Sequence, residues 1–148
     1  MAHVVPAERD LRRALDVLIE HYGVDPERTA LVGYSMGVQA AALAAAVDQR
    51  VDAVVLMAGR AHPSGPAAQR KPIFAELDTV HYVDHLAPAR VLLQGGTKDE
   101  VVERGELEEL FAAVSDPKEI RWYPAGHGLG SKAQRERIDW LSDAFGLR

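Results

Sequence analysis

Residues 29–47 read Thr29-Ala30-Leu31-Val32-Gly33-Tyr34-Ser35-Met36-Gly37-Val38-Gln39-Ala40-Ala41-Ala42-Leu43-Ala44-Ala45-Ala46-Val47. Thr29 to Tyr34 is a short, largely apolar run of the kind that makes a buried strand. From Met36 onward Ala and Leu dominate; they are the best helix formers, and their small side chains let a helix lie close to a sheet. Between the two stands Gly33-Tyr34-Ser35-Met36-Gly37, a G-x-S-x-G pentapeptide. A serine on a strand-to-helix turn sits in a strained backbone conformation with its hydroxyl lifted into the open, so its neighbours must be small, and both glycines meet that demand. The following helix points its N-terminus at the hydroxyl, which leaves the Met36 N–H free to bind a developing oxyanion. The pentapeptide alone is a weak signal, because a tight glycine-rich turn with an incidental serine reads the same way. Its place after a strand and before a helix is what gives it weight.

Working outward, helix and strand alternate. Upstream, Leu11, Leu15, Leu18, Ile19 and Tyr22 form an amphipathic helical stripe. Pro6 suits the first helical position, Glu8 and Asp10 the positive end of the dipole, and Gly23 the terminator. Asp25-Pro26-Glu27-Arg28 is a turn. Downstream, Val51 to Met57 reads as a second buried strand, and Val91 to Gln94 as a third closed by Gly95-Gly96. Leu107, Leu110, Phe111 and Val114 mark the next helix. Ile120 and Trp122 alternate with Glu119 and Arg121, a half-exposed edge strand. Ile138, Leu141 and Phe145 set the inner face of a final helix, and Arg135-Glu136-Arg137 its solvated face. Residues 60–88, broken by Pro63, Gly65, Pro66, Pro72 and Pro88, read as a lid-like insert or pocket wall.

The order implies a single α/β domain over 1–148, with three α/β/α layers and a short, mostly parallel sheet of about four strands joined by right-handed crossovers. In such sheets chemistry gathers beyond the carboxyl ends of the strands, in loops that begin here near residues 35, 59, 96 and 124. A serine hydroxyl needs a base that a third group orients. Pro124-Ala125-Gly126-His127-Gly128 offers His127, with a solvated loop histidine as the plainer reading. Gly95-Gly96-Thr97-Lys98-Asp99-Glu100 offers Asp99, with Glu100 and Glu103 as competitors. Ser35, Asp99 and His127 follow the chain order nucleophile, acid, histidine that belongs to α/β-hydrolases rather than to the other serine-triad folds.

Composition narrows the remaining classes. At 148 residues the chain is the length of one ordinary domain. With 47% hydrophobic and 26% charged residues it is globular rather than disordered. A net charge of −5 argues against a nucleic-acid-binding surface. The absence of cysteine removes thiolate chemistry, disulfides and cysteine metal sites. The longest apolar run, Ala40 to Val47, is far below the ~18 residues of a membrane span. Met1 to Pro6 lacks the features of a signal peptide, so a soluble, cytoplasmic protein is expected. Asp78, His81, Asp84 and His85 are spaced as a helical metal set, but solvated polar residues explain them better. Trp122 and Trp140 read as packing residues.

Val24-Asp25-Pro26-Glu27-Arg28, Gly33-Tyr34-Ser35-Met36-Gly37, Leu92-Leu93-Gln94-Gly95-Gly96-Thr97-Lys98-Asp99 and Tyr123-Pro124-Ala125-Gly126-His127 together resemble the carboxyl-terminal part of an α/β-hydrolase of the dienelactone-hydrolase-like or esterase branch. The resemblance spans most of the chain. It implies a minimal or truncated α/β-hydrolase fold with Ser35 as nucleophile, Asp99 as orienting acid and His127 as general base. Serine rather than cysteine at the elbow fits an esterase better than a true dienelactone hydrolase. The family's sheet carries several more strands before the first helix, and the loop that gives its second oxyanion donor is absent here. Losing one donor typically costs about 10²–10³ in turnover. A backbone N–H near His3 or Val4 is the expected replacement. Without those strands, Thr29–Tyr34 becomes an open edge, and a homodimer or higher oligomer is expected to cover it.

The function expected from these residues is a serine carboxylesterase that cleaves short-chain esters through an acyl-enzyme on Ser35, with thioesters as further substrates. Such chemistry needs no metal or cofactor. Tyr34, Tyr82 and Leu86 are the expected pocket residues. The alternative is a catalytically impaired hydrolase relic that serves as an oligomerising or ligand-binding module.

Overall fold

Nineteen residues of helix, α1 (Val4–Tyr22), open the computed structural model, which describes residues 4–62 and 78–147. The helix starts two residues ahead of Pro6, which still falls in the first turn, where no N–H is needed for intrahelical bonding. Glu8 is buried and binds Arg12 Nη1 at 3.3 Å, so it supports the helix face rather than the helix end.

Strands β1 (Ala30–Tyr34), β2 (Ala53–Met57), β3 (Arg90–Gly96) and β4 (Lys118–Tyr123) form one sheet in the order β1-β2-β3-β4. Every pairing is parallel. Helix α2 (Gly37–Val47) links β1 to β2, α3 (Arg104–Ala113) links β3 to β4, and α4 (Gly130–Ala144) follows β4. Between β2 and β3, within the expected insert, the described stretch holds two single 3-10 turns, Thr79–His81 and Val83–His85. Residues 63–77, including Pro63, Gly65, Pro66 and Pro72, lie outside the described residues.

The register explains the layers. Leu31, Val54 and Val91 form one cross-strand row, and Gly33, Leu56, Leu93 and Ile120 the next. These rows meet α1, α2, α3 and the 3-10 turns in the larger core, with Val38, Ala41, Leu107 and Leu110 among the buried side chains. Helix α2 buries Val38 and Ala41 through Ala45 because it lies between the sheet and α1, which is why its sequence is apolar nearly all round. The other face presents Val55, Leu92 and Tyr123 to Leu129, Ala133 and Trp140, so among the described residues α4 alone covers it. It leaves Val32 48% exposed and Tyr34 45% exposed on β1.

The phase of α4 differs from the sequence reading. Ile138 is 55% exposed, whereas Ala133 and Trp140 are buried. Arg137 takes an inward position, donating from Nη1 to Gln94 Oε1 at 3.0 Å and touching Met57 Sδ, and Glu136 Oε2 accepts from the Tyr123 hydroxyl at 3.0 Å. The supposed solvated face Arg135-Glu136-Arg137 therefore contributes two of its three side chains to a polar cluster against the sheet. Trp122 and Trp140 do pack, each beneath a guanidinium: Arg104 lies 4.6 Å from the Trp122 ring centre and Arg90 5.3 Å from that of Trp140.

Candidate active site

Three loops at the carboxyl ends of β1, β3 and β4 converge on one rim of the sheet. Ser35 follows β1 with φ of +53°, a left-handed backbone at the strand-to-helix turn. A non-glycine residue held there costs about 1–3 kcal/mol and persists only where its surroundings enforce it. The Ser35 N–H donates to Met57 O at 2.9 Å and its carbonyl accepts from the Val38 N–H at 3.1 Å. At Gly33 a β-carbon would stand 2.7 Å from Gly37 O and 2.9 Å from Ala41 Cβ. At Gly37 it would meet nothing within 4 Å. Crowding thus requires the first glycine of the pentapeptide and not the second, because Gly37 opens onto a groove. Met36 is 85% exposed, and its N–H belongs to the helix-start donors that have no intrahelical acceptor.

Asp99 follows β3 and its side chain is 2% exposed. Its Oδ1 accepts the N–H groups of Val101 at 2.8 Å and Val102 at 3.0 Å, which leaves Oδ2 2.9 Å from His127 Nδ1. Burial pushes this carboxyl up, but the Val102 N–H, His127 and the Val101 N–H together outweigh burial and hold it below the ordinary carboxylate value. Of the competing acids, Glu103 is committed to a capping box at the start of α3 with Glu106, and Glu100 is exposed. Arg60 steadies the same loop from β2's side, donating to Val101 O and pairing with Glu106 at 3.2 Å.

His127 Nε2 lies 3.0 Å from Ser35 Oγ. The Tyr34 ring packs against the imidazole, with centroids 5.1 Å apart and planes tilted by 46°. The loop carrying His127 is seated on β3: Thr97 N–H donates to Tyr123 O at 2.8 Å and Lys98 N–H to Ala125 O at 3.0 Å. One ring, sandwiched between an acid and a hydroxyl, can hold a proton on Nδ1 and accept one at Nε2.

Ser35, Asp99, His127 and Tyr34 are therefore together, with Met36 adjoining. Leu86 is not among them. It is 2% exposed within the core between α2 and α3, because the chain has by then returned to the amino end of β3, opposite the reactive rim. Tyr82, half-buried, belongs to the same return segment. Asp78 binds His62 at 2.7 Å and Asp84 lies 3.5 Å from His85. No group of three metal-binding side chains occurs among the described residues. His3 lies outside the described residues, and Val4 begins α1. Sequence reasoning missed Gln94, Arg137 and Glu136; a glutamine in the middle of an otherwise apolar strand was the available signal.

Several solved structures share this fold. An alpha/beta hydrolase of Penicillium sp. sh18 superposes with a TM-score of 0.79 at 17% identity, covering 93% of this chain and 71% of that one. The esterase domain of a Rhodothermus marinus protein gives 0.69 at 22% identity, covering 88% and 63%. Acetyl xylan esterase 1 from Thermoanaerobacterium sp. gives 0.76 at 18%, covering 93% and 52%. The chain thus spans between about half and seven-tenths of the length of these structures. No curated protein matches it. The sequence profile of the dienelactone hydrolase family matches residues 3–140, nearly the whole chain. The elbow, the strand order and that match agree: the chain belongs to the dienelactone hydrolase family.

Proposed function

We propose that this protein is a serine hydrolase of carboxylic esters. The observation that carries the reading is the hydrogen-bonded line from Asp99 Oδ2 through His127 to Ser35 Oγ, at 2.9 and 3.0 Å. In this mechanism His127 Nε2 takes the Ser35 proton as Oγ attacks the ester carbonyl, while Asp99 holds Nδ1–H and stabilises the imidazolium. The Met36 N–H receives the oxyanion. Collapse expels the alcohol, which takes the proton from His127, and leaves an acyl-serine. Water, deprotonated by the same imidazole, then releases the acid and restores Ser35.

A short acyl group is the expected substrate portion, with the Tyr34 ring beside His127 as one wall of its site. Steady-state hydrolysis of p-nitrophenyl acetate, butyrate and decanoate tests the reading. The rate should fall from the short to the long ester and vanish in Ser35→Ala. Equal turnover by Ser35→Ala would end it.

Among the described residues the outer edge of β1 pairs with no strand, which supports a second part of the proposal, a homodimer formed across that edge. Beside it runs a groove of about 500 Å³ lined by Leu11, Leu31, Val32, Gly37 and Ala40, with Asp10 at its rim. Such an apolar edge invites pairing. Light scattering at micromolar concentration should give twice the chain mass; a clean monomer mass would contradict it. The same open groove favours the rival reading, a catalytically impaired relic that binds a ligand or partner there. Ester turnover that depends on Ser35 separates the two.

A further inference from the structure

Gln94 is wholly buried in the middle of β3, where its neighbours across the sheet are Met57 and Arg121. A polar side chain without exposure must have its hydrogen bonds met internally. Here all are. Nε2 donates to the Tyr123 hydroxyl at 2.9 Å and to the Ala133 carbonyl at 2.9 Å, and Oε1 accepts from Arg137 Nη1 at 3.0 Å. Arg137 can only donate and the Ala133 carbonyl can only accept, which fixes the amide's orientation. The Tyr123 hydroxyl in turn donates to Glu136 Oε2 at 3.0 Å. Burial, helped by the Glu136 hydrogen bond, outweighs the lowering effect of the Gln94 hydrogen bond and leaves that hydroxyl above its ordinary value, so it stays protonated as the network needs.

The two groups that Gln94 Nε2 joins bracket the loop carrying His127. Tyr123 is the last residue of β4, immediately before the loop, and Ala133 lies in the first turn of α4, immediately after it. Within the loop the backbone is held by short local bonds, Leu129 N–H to Gly126 O at 3.1 Å and Gly130 N–H to Gly128 O at 2.6 Å. Leu129, at φ of +57°, is buried and turns the chain into α4. We infer that Gln94 is a positioning residue: one buried amide ties together the two ends of the histidine loop and thereby sets the distance from His127 Nε2 to Ser35 Oγ. This assignment rests on the hydrolase reading. A displacement of about 1 Å in a reacting group costs on the order of a hundredfold in rate.

The test compares wild type with Gln94→Leu, which at similar volume removes both donated bonds and the one accepted from Arg137, and with Trp140→Phe, which weakens the same α4 contact without touching the amide. Two readouts are followed: the rate at which a fluorophosphonate modifies Ser35, and the downfield proton resonance of His127 Nδ1–H in its bond to Asp99. In Gln94→Leu, phosphonylation should slow by about tenfold to a hundredfold and the resonance should broaden or vanish. Trp140→Phe should lower Tm while keeping both. Should Gln94→Leu not fold, Tyr123→Phe cuts one of the two ties and should show the same changes in smaller measure. The inference is overturned if Gln94→Leu or Tyr123→Phe keeps the wild-type rate and resonance, or if Trp140→Phe loses rate in the same proportion to its Tm. If the wild type itself is not phosphonylated, the hydrolase reading fails, whereas the resonance comparison still decides whether Gln94 holds the loop.

Discussion

Gly96 has no β-carbon, and the Gly126 carbonyl occupies the space one would need: a Cβ built there would lie 2.6 Å from Gly126 O and nearer still to Ala125 O. The end of β3 and the loop before His127 therefore approach closely only because residue 96 is glycine. This contact joins the strand that leads to Asp99 to the loop that carries the imidazole.

Gly96→Ala must push that loop away, since backbone rather than a flexible side chain lies in the path. The expected cost is about 1–3 kcal/mol of stability from overpacking, with esterase turnover reduced on the order of a hundredfold. Chemical denaturation and steady-state kinetics on the same sample check both. Wild-type turnover would show that the loop gives way without moving His127.

Asp99→Asn should reduce turnover by about 10³–10⁴-fold with little change in KM, because an amide in place of the carboxylate favours the wrong imidazole tautomer. Asp99 is held below the ordinary carboxylate value by the Val102, His127 and Val101 contacts that overcome its burial. The stability it contributes is present above its unfolded pKa and is lost as pH falls through the lower folded one. Acid unfolding curves of wild type and Asp99→Asn should accordingly converge at the acid end.

His62 sits between two carboxylates, with Nδ1 2.7 Å from Asp78 and Nε2 3.1 Å from Glu109. The Asp78 hydrogen bond, partly opposed by desolvation and reinforced by Glu109, raises its pKa. A raised folded value means the contribution is complete below the unfolded value, about 6.5, and disappears as pH rises through the folded one. Tm should therefore decline as pH climbs through that window, and His62→Gln should flatten the decline. Its half-exposed side chain makes this a small effect.

Val32→Lys places a charge on the exposed edge strand, the usual protection against edge pairing. If a homodimer forms across β1, this substitution should give a monomer by light scattering without loss of secondary structure. A dimer that survives it uses another surface.

Much of the fold was legible because each element carried its own local code. The alternation in Glu119-Ile120-Arg121-Trp122 marked an edge strand, and β4 is one of the two sheet edges. The apolar run of α2 and the elbow at Ser35 fixed the first crossover. What escaped reading was set by tertiary contacts. Ile138 fitted an apolar stripe, yet Arg137 turns inward because Gln94 Oε1 offers a buried acceptor. Leu86 looked like a pocket residue because the sequence does not show at which end of the sheet the chain re-enters β3. Gly37 looked sterically required, and only the groove beside it shows otherwise. Arg60 acts through residues distant in sequence, so no spacing could reveal it, whereas Gln94 left only the mark of one polar residue within an apolar strand.

Intact-mass spectrometry after treatment with a fluorophosphonate tests most directly whether Ser35, His127 and Asp99 act together. One adduct per chain is expected, mapped to Ser35, absent from Ser35→Ala and strongly slowed in His127→Ala. A folded wild-type protein that takes up no adduct, or a Ser35→Ala protein modified as fully as the wild type, would contradict it.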